Sequence, residues 1–447
     1  MTDRARALVP ELRSRGVQGV VLSFVDTAGI DRIKAVPLER LEGAATWGVG
    51  MSPVFDAFRS DDVPMSGPGT LGGPDGDLRH VPDLDRLVVL DAQPGWAWAP
   101  VDRRTQDGDV HPGCARGFAR RQVEAAAADG LRFRMGIEVE WAVSHGDGDT
   151  FVPACTGPAY GMVRLLERSD YLRDVMVALQ RQGLDVEQIH PEYSDGQYEV
   201  SVAPADPVTA ADHSVLVRTT IRAVSARHGL RVSFAPSVVH DHVGNGGHVH
   251  LSVWRGDVNL LAGGTGPYGT TDGGAAAVAG VLDELPALLA VGAPTPASYL
   301  RLVPSHWAGV FAAWGHETRE TALRLVTGSR GEQGRRANLE VKCVDLAANP
   351  YLLVGSLMAA ARHGIRTGAT LPPPVVGDPA FAAEDDRPAR LPTSLGEALA
   401  RFAGSDVLRS ALGERLTGAI EVVRRGEIDR VADLTPEQVV AAYRWIF

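Results

Sequence analysis

Four short segments of the chain alternate apolar and polar residues with a period of two, the repeat of a β-strand with one buried face. In MGIEVEWAV, Glu138 and Glu140 fall on one side and Ile137, Val139, Trp141 and Val143 on the other. In GQYEVSV, Gln197, Glu199 and Ser201 oppose Tyr198, Val200 and Val202. In GHVHLSVW, His248, His250 and Ser252 oppose Val249, Leu251 and Val253. In NLEVKCV, Asn338, Glu340 and Lys342 oppose Leu339, Val341 and Cys343. Each strand therefore has an apolar face and a face of Glu, His or Lys.

Around these strands the pattern predicts a helix over 3–15, a strand in VQGVVLSFVD returning through 32–36, loops from 47 to 82, and strands at 86–91 and 96–100. The polar, turn-prone stretch 102–112 reads as a boundary, giving domains over 1–106 and 107–447. Beyond it the predicted helices are 114–129, 159–182, 207–228, 272–291 and 349–366. The predicted strands are 132–143, 186–190, 196–203, 230–235, 247–254, 309–314 and 337–344. Asn349 followed by Pro350 reads as an N-cap with proline in the first turn. The region from 394 to 447 reads as two or three helices. Strands and helices that cluster rather than interleave indicate an α+β fold.

Composition narrows the function. With 447 residues, 45% hydrophobic and 22% charged, the chain can bury a large core. A net charge of −11 argues against nucleic acid or an anionic membrane as the main partner. The three cysteines are few, odd in number and scattered, as expected of reduced thiols in a cytoplasmic protein. The apolar region near 275–293 is interrupted by Asp283, Glu284 and Pro286, so no membrane span is expected.

The polar strand faces carry the chemistry. A solvated face usually mixes Lys, Arg, Thr and Ser with its acids, whereas three of these four faces hold almost only metal-capable groups. Crowded carboxylates repel one another unless a cation compensates, and hard divalent ions with oxygen and imidazole ligands do so. Arg301, Arg319 and Arg324 add the cationic groups that stabilise a transferring phosphoryl group. GPGTLG (67–72) has the spacing of a dinucleotide loop but no helix after it, so it reads as a plain loop. No phosphate-binding G-K-[ST] sequence occurs.

These segments together resemble the glutamine synthetase family. GIEVEW is similar to its G-x-E-x-E-F, HPEYSDGQYEV to H-x-E-x-x-x-G-Q-x-E, and GNGGHVHLSVW to G-S-G-x-H-x-H-x-S-x-W. SYLRLVP, TRETALR and NLEVKCVDLAANPYL follow in the family's order. The resemblance implies a small N-terminal β-grasp domain and a large catalytic domain with a curved antiparallel sheet flanked by helices. It implies a homo-oligomer, a dodecamer of two hexameric rings. It also implies an ATP-dependent ligase that makes γ-glutamyl phosphate before an amine attacks, with two or three Mg²⁺ (or Mn²⁺) ions per site.

Carried over by position, Glu140, Glu192 and Glu199 would hold one metal and Glu138, His248 and Glu340 the other. Arg301 and Lys342, with the Gly244 backbone, would hold glutamate. Arg319 and Arg324 would brace the phosphates, and His250, Ser252 and Arg335 would lie beside the nucleotide. Asp56 in VFDAF is the candidate for the family's ammonium-site aspartate.

The flap departs from the family pattern. VPSHWAGV puts Trp307 where the resemblance leads one to expect a glutamate, and an indole cannot accept a proton. His306 is the candidate replacement base. Lys342 stands where the family usually has arginine. These departures point away from ammonium and toward an organic amine, with a monoamine such as ethanolamine favoured because an acid that could hold a second ammonium is gone. The alternatives are an ammonium-using glutamine synthetase, a γ-glutamylpolyamine synthetase and a non-catalytic scaffold or regulator.

Overall fold

The structure is a computed structural model and describes residues 2–69 and 71–447; Thr70, within the 67–72 loop expectation, lies outside the described residues. After a helix over Thr2–Ser14, the chain builds strands β1 (Gly19–Val25), β2 (Asp31–Pro37), β3 (Val49–Met51), β4 (Leu78–Pro82), β5 (Val88–Val89) and β6 (Trp96–Arg104). They form a mixed sheet in the order β2-β1-β6-β4-β3, with β5 beside β6 and β1 parallel to β6. Val20, Leu22, Ala97 and Ala99 bury one face of it in an apolar cluster with Leu12, Leu38 and Leu41. The 86–91 prediction shrinks to Val88–Val89, whereas β6 runs past Pro100 to Arg104 because Arg79 to Pro82 pair with Val101 to Arg104. Hydrogen bonding thus carries the strand into the polar stretch 102–112.

The remaining strands are β7 (Arg132–Ile137), β8 (Val139–His145), β9 (Val186–Pro191), β10 (Gln197–Val202), β11 (Leu230–Ser233), β12 (Val249–Arg255), β13 (Val258–Asn259), β14 (Trp314–His316), β15 (Leu323–Val326) and β16 (Asn338–Val341). The predicted strand 132–143 is broken at Glu138, and its halves join different sheets. β8 lies in β11-β8-β10-β9, while β7 pairs with β12 of β13-β12-β16-β15-β14. The result is a curved, antiparallel-rich surface flanked by helices, in an α+β molecule. Glu138 sits at the crossing, where its N–H donates to the His248 carbonyl at 2.9 Å.

Helices Pro207–Arg227, Asp272–Gly292 and Pro350–Thr367 match the periodicity within two residues. The 159–182 prediction is two helices, Met162–Glu167 and Ser169–Arg181, because Arg168 at φ −128° leaves the helical region between them. The 309–314 prediction is irregular, and only Trp314–His316 forms a strand there. β15 was not expected as a strand. Three helices, Leu395–Ala403, Asp406–Arg430 and Pro436–Tyr443, complete the fold.

Among the described residues one helix, Asp272–Gly292, is long and apolar enough to cross a membrane by length and composition alone, and 78% of its most apolar stretch is buried in the protein. Its apolarity is accounted for by packing against Pro350–Thr367. There a Cβ on Gly280 would meet the Ala360 carbonyl at 2.4 Å and Gly364 Cα at 2.7 Å, so the two helix backbones touch where both residues are glycine. All three cysteines are free and buried.

Candidate active site

Strand register assembles the site. Residues directly opposite on paired strands share a face, and β10 places Glu199 opposite Glu140 of β8 and opposite His190 of β9. In the other sheet β16 places Glu340 opposite His250 of β12 and opposite Arg324 of β15. Two rows of chemistry-bearing groups, His190–Glu199–Glu140 and Arg324–Glu340–His250, therefore meet across the break at Glu138.

All of these residues except His250 line a cavity of about 650 Å³. Its wall includes all six residues expected to hold metal: Glu138, Glu140, Glu192, Glu199, His248 and Glu340. Ligand atoms converge on two points. Glu138, His250 and Glu340 bring one atom each within 4.8 Å of the others, and His190, Glu192 and Glu199 do the same. His248 adjoins the first group, with Nδ1 3.0 Å from Glu138 and 3.4 Å from Glu340. His250, expected beside the nucleotide, also has Nε2 2.9 Å from Glu138. His190 was not foreseen, although its i,i+2 spacing from Glu192 in IHPE was a readable signal.

The charge balance fits divalent cations. Burial pushes Glu199 up to about 10, reinforced by Glu138, Glu140, Glu192 and Glu340. Burial and Glu192 push Glu140 up to about 7, against the pull of Arg301 and the Gly246 N–H. Glu340 and Glu138 are held low against burial, the first chiefly by Lys342 and the second chiefly by His250. Two glutamates directly opposite on neighbouring strands destabilise the sheet, and a cation between carboxylates removes that repulsion.

Cations of the protein surround the carboxylates. Lys342 donates to Glu340 at 2.9 Å, and Arg324 donates to Glu340 at 3.0 Å and to Glu317 at 2.8 Å. Arg301 is buried, lies 3.1 Å from His248 and donates to the Lys342 carbonyl at 3.0 Å, while its Nη1 has no partner. An unpaired buried guanidinium nitrogen costs free energy unless an anion answers it. Gly244 and the exposed Arg319 share this cavity. A Cβ on Gly246 would sit 2.6 Å from His248 Nε2 and 2.7 Å from Glu140 Oε1, so a larger residue there would displace those side chains. Gln197 and the Gly246 N–H both donate to Glu140 Oε2, at 2.9 and 2.8 Å, and fix its orientation.

A second cavity of about 300 Å³ shares Glu138 and Gln188 with the first and gathers His250, Ser252 and Arg335, the three residues expected at the nucleotide. Arg134 and Arg336 line it as well.

Asp56 is the exception. It is 2% exposed, lines neither cavity, and is locked by Arg103 at 2.6 Å, His111 at 2.8 Å and Arg415 at 3.0 Å. Its carboxylate is held by two guanidinium groups and an imidazole, so within this chain it is the centre of a buried polar cluster away from both cavities.

His306 and Trp307 do reach the main cavity. The flap holding them is pinned from outside: the Trp307 N–H donates to Glu320 at 2.9 Å and the Ser305 hydroxyl donates to Asp378 at 2.7 Å. Ser305 and Trp307 have φ of 59° and 56°, left-handed values that side chains rarely adopt.

Residues 112–443 match the family model described as glutamine synthetase, catalytic domain. The chain belongs to the glutamine synthetase family. It is thus a glutamine synthetase-like ligase, forming a carbon–nitrogen bond with ATP.

Among curated proteins it is 59% identical to the γ-glutamylpolyamine synthetase GlnA3 of Streptomyces coelicolor, over 99% of this chain and 96% of that protein. It is 28% identical to a glutamine synthetase of Halobacterium salinarum, over 96% and 93% of the two chains. Among solved structures, a novel glutamine synthase homolog superposes with a TM-score of 0.86 at 31% identity, covering 96% of this chain and 99% of that one. A GmaS/ADP complex superposes at 0.85 with 27% identity, covering 97% and 98%. The glutamine synthetase fold therefore extends over nearly the whole chain.

Proposed function

We propose that this glutamine synthetase-like ligase joins the γ-carboxyl group of glutamate to a primary amine of a polyamine. The observation that carries the reading is the 59% identity, over 99% of the chain, to a γ-glutamylpolyamine synthetase. The site chemistry is compatible with it. Arg301, with its unpartnered Nη1, and Lys342 receive the α-carboxylate of glutamate beside the Gly244 backbone. The γ-carboxylate then attacks the terminal phosphorus of ATP, giving γ-glutamyl phosphate and ADP, while Arg319 and Arg324 stabilise the charge on the phosphoryl oxygens. The amine attacks the acyl carbon and inorganic phosphate leaves. Splitting amide formation into two steps is the gain from the acyl phosphate.

The donor sets divide into His190, Glu192, Glu199 and Glu140 on one side and Glu138, Glu340, His248 and His250 on the other. Divalent ions there, Mg²⁺ or Mn²⁺, would neutralise phosphate charge and polarise the γ-carboxylate. His250, Ser252 and Arg335 border the nucleotide in this reading. An amine must lose its proton before attack, and His306, in the cavity wall, is the group assigned to take it. The ring assembly implied by the family resemblance belongs to the same proposal.

A second reading, a monoamine such as ethanolamine, is favoured by Trp307 standing where an acid is expected. Phosphate release and product mass, measured with glutamate, ATP and Mg²⁺ across ammonium, ethanolamine, putrescine, spermidine and spermine, separate the two. γ-Glutamylated di- or polyamine as the main product supports the proposal. γ-Glutamylethanolamide or glutamine as the main product overturns it.

A further inference from the structure

Beyond the flap lies a third cavity of about 630 Å³. It shares Ala159, Tyr193, Val243, His306 and Trp307 with the reaction cavity, so the two spaces are neighbours with a common wall. The centre of that wall is aromatic: the Trp307 and Tyr193 rings stand 4.7 Å apart at 50°, and both side chains are partly exposed. Trp307 is held in place by its backbone bond to Glu320, at a left-handed φ that an unconstrained tryptophan would leave. Ring faces on the wall shared by the two cavities suit a cationic, aliphatic chain.

The far side of the wall is acidic. Asp195 and Asp241 both line the third cavity, with side chains 48% and 87% exposed. The only arginine there, Arg164, is 3% exposed and its donors are occupied by the carbonyls of Gly157, Glu192, Tyr193 and Ser194 and by Asp195 itself. Arg164 thus fixes the loop that carries Asp195 and takes up Oδ1 of its carboxylate, so the acidic groups of the cavity are the second oxygen of Asp195 and the carboxylate of Asp241, whose Oδ2 lies 3.3 Å from His240 Nδ1. Tyr193, His242 and His306 are its remaining titratable groups.

Resting on the polyamine reading above, we infer that the distal ammonium of the substrate occupies this third cavity, with its methylene chain crossing the Trp307–Tyr193 wall and its charge facing Asp195 and Asp241. The acid missing at Trp307 is then supplied one cavity further out. Trp307 serves as a spacer that passes a chain with a second charge, and diamines are told from monoamines at Asp241 and Asp195 rather than at the reacting nitrogen.

The test compares putrescine with n-butylamine, which has the same carbon count and lacks the second ammonium, by steady-state kcat/KM in the full-length protein. Asp241→Asn is expected to lower the putrescine-to-butylamine ratio about threefold and Asp241→Lys about tenfold, as befits one solvent-exposed charge contact removed or reversed. Asp241 is exposed, so both variants fold; Trp307→Leu provides a second probe and lowers the same ratio through loss of the ring face. A wild-type protein that turns over putrescine, with a ratio unmoved by either Asp241 variant, overturns the inference and leaves the polyamine reading standing. A wild-type protein that uses other amines and no polyamine overturns both.

Discussion

Two regions of this protein bury carboxyl groups, and they do so in opposite ways. Around Asp56 one carboxylate is surrounded by Arg103, His111 and Arg415, and Arg103 and His111 hold it far below the usual carboxylate range against the cost of burial. In the reaction cavity five glutamates crowd together, and Glu199 and Glu140 are pushed up to about 10 and about 7. A carboxylate saturated by side-chain cations is complete and serves the fold. A surplus of carboxylates is incomplete and is finished by ions that arrive from solution. The same functional group stands in both places, and the local count of opposite charges tells the two apart.

The contrast can be broken most forcefully at Glu340, which touches Lys342, Arg324 and His248. Glu340→Ala is expected to lower kcat about 10³-fold, equivalent to about 4 kcal/mol of transition-state stabilisation, while circular dichroism stays unchanged. Retention of even a tenth of the activity would remove Glu340 from the catalytic set.

Asp56→Ala should act in the opposite manner. Stranding Arg103, His111 and Arg415 costs about 3 kcal/mol or more in denaturant-derived stability, with kcat of the folded enzyme falling less than tenfold. Lost turnover at unchanged stability would transfer Asp56 to the site.

Lys342 sharpens the comparison inside the cavity. Lys342→Ala should raise the KM for glutamate about tenfold or more and the KM for ATP much less, because an ammonium–carboxylate contact is lost on one substrate alone. Equal rises in both constants would assign Lys342 to general support of Glu340.

The smallest effect concerns His80, buried against Phe24 with ring centroids 4.7 Å apart. Burial, aided by Arg103 and Lys34, pushes its pKa from 6.5 down to about 3. A depressed pKa means that its contribution to stability is present above pH about 6.5 and is lost as the pH falls toward about 3. Denaturation midpoints recorded from pH 7 to pH 4 should therefore fall less steeply in His80→Phe than in the parent. Parallel slopes would contradict this.

Much of the site was legible because the period-two alternation of strands is local. Glu199, Glu340 and His248 all stand on the faces read from sequence, and the six ordered motifs brought them to one cavity. The break at Glu138 was not legible, because IEVEW alternates smoothly and only the choice of partner strands, a matter of tertiary pairing, divides it. The surroundings of Asp56 were not legible for a related reason: one of its partners, Arg415, lies 359 residues away. β15 was hidden behind Arg324, which drew attention as a phosphate ligand while Leu323 and Leu325 carried the strand signal. His190 lay in plain view at i−2 from Glu192, and a stricter reading of the alternation would have included it.

The central claim is that the glutamate-rich face takes divalent ions whereas the Asp56 cluster does not. Equilibrium binding of Mn²⁺, followed by electron paramagnetic resonance of the free ion with ADP present, tests it on the wild type, Glu199→Gln and Asp56→Asn. The account predicts at least two ions per chain in the wild type, loss of one in Glu199→Gln, and no loss in Asp56→Asn. An ion count that Glu199→Gln leaves intact, or that Asp56→Asn reduces, would contradict it.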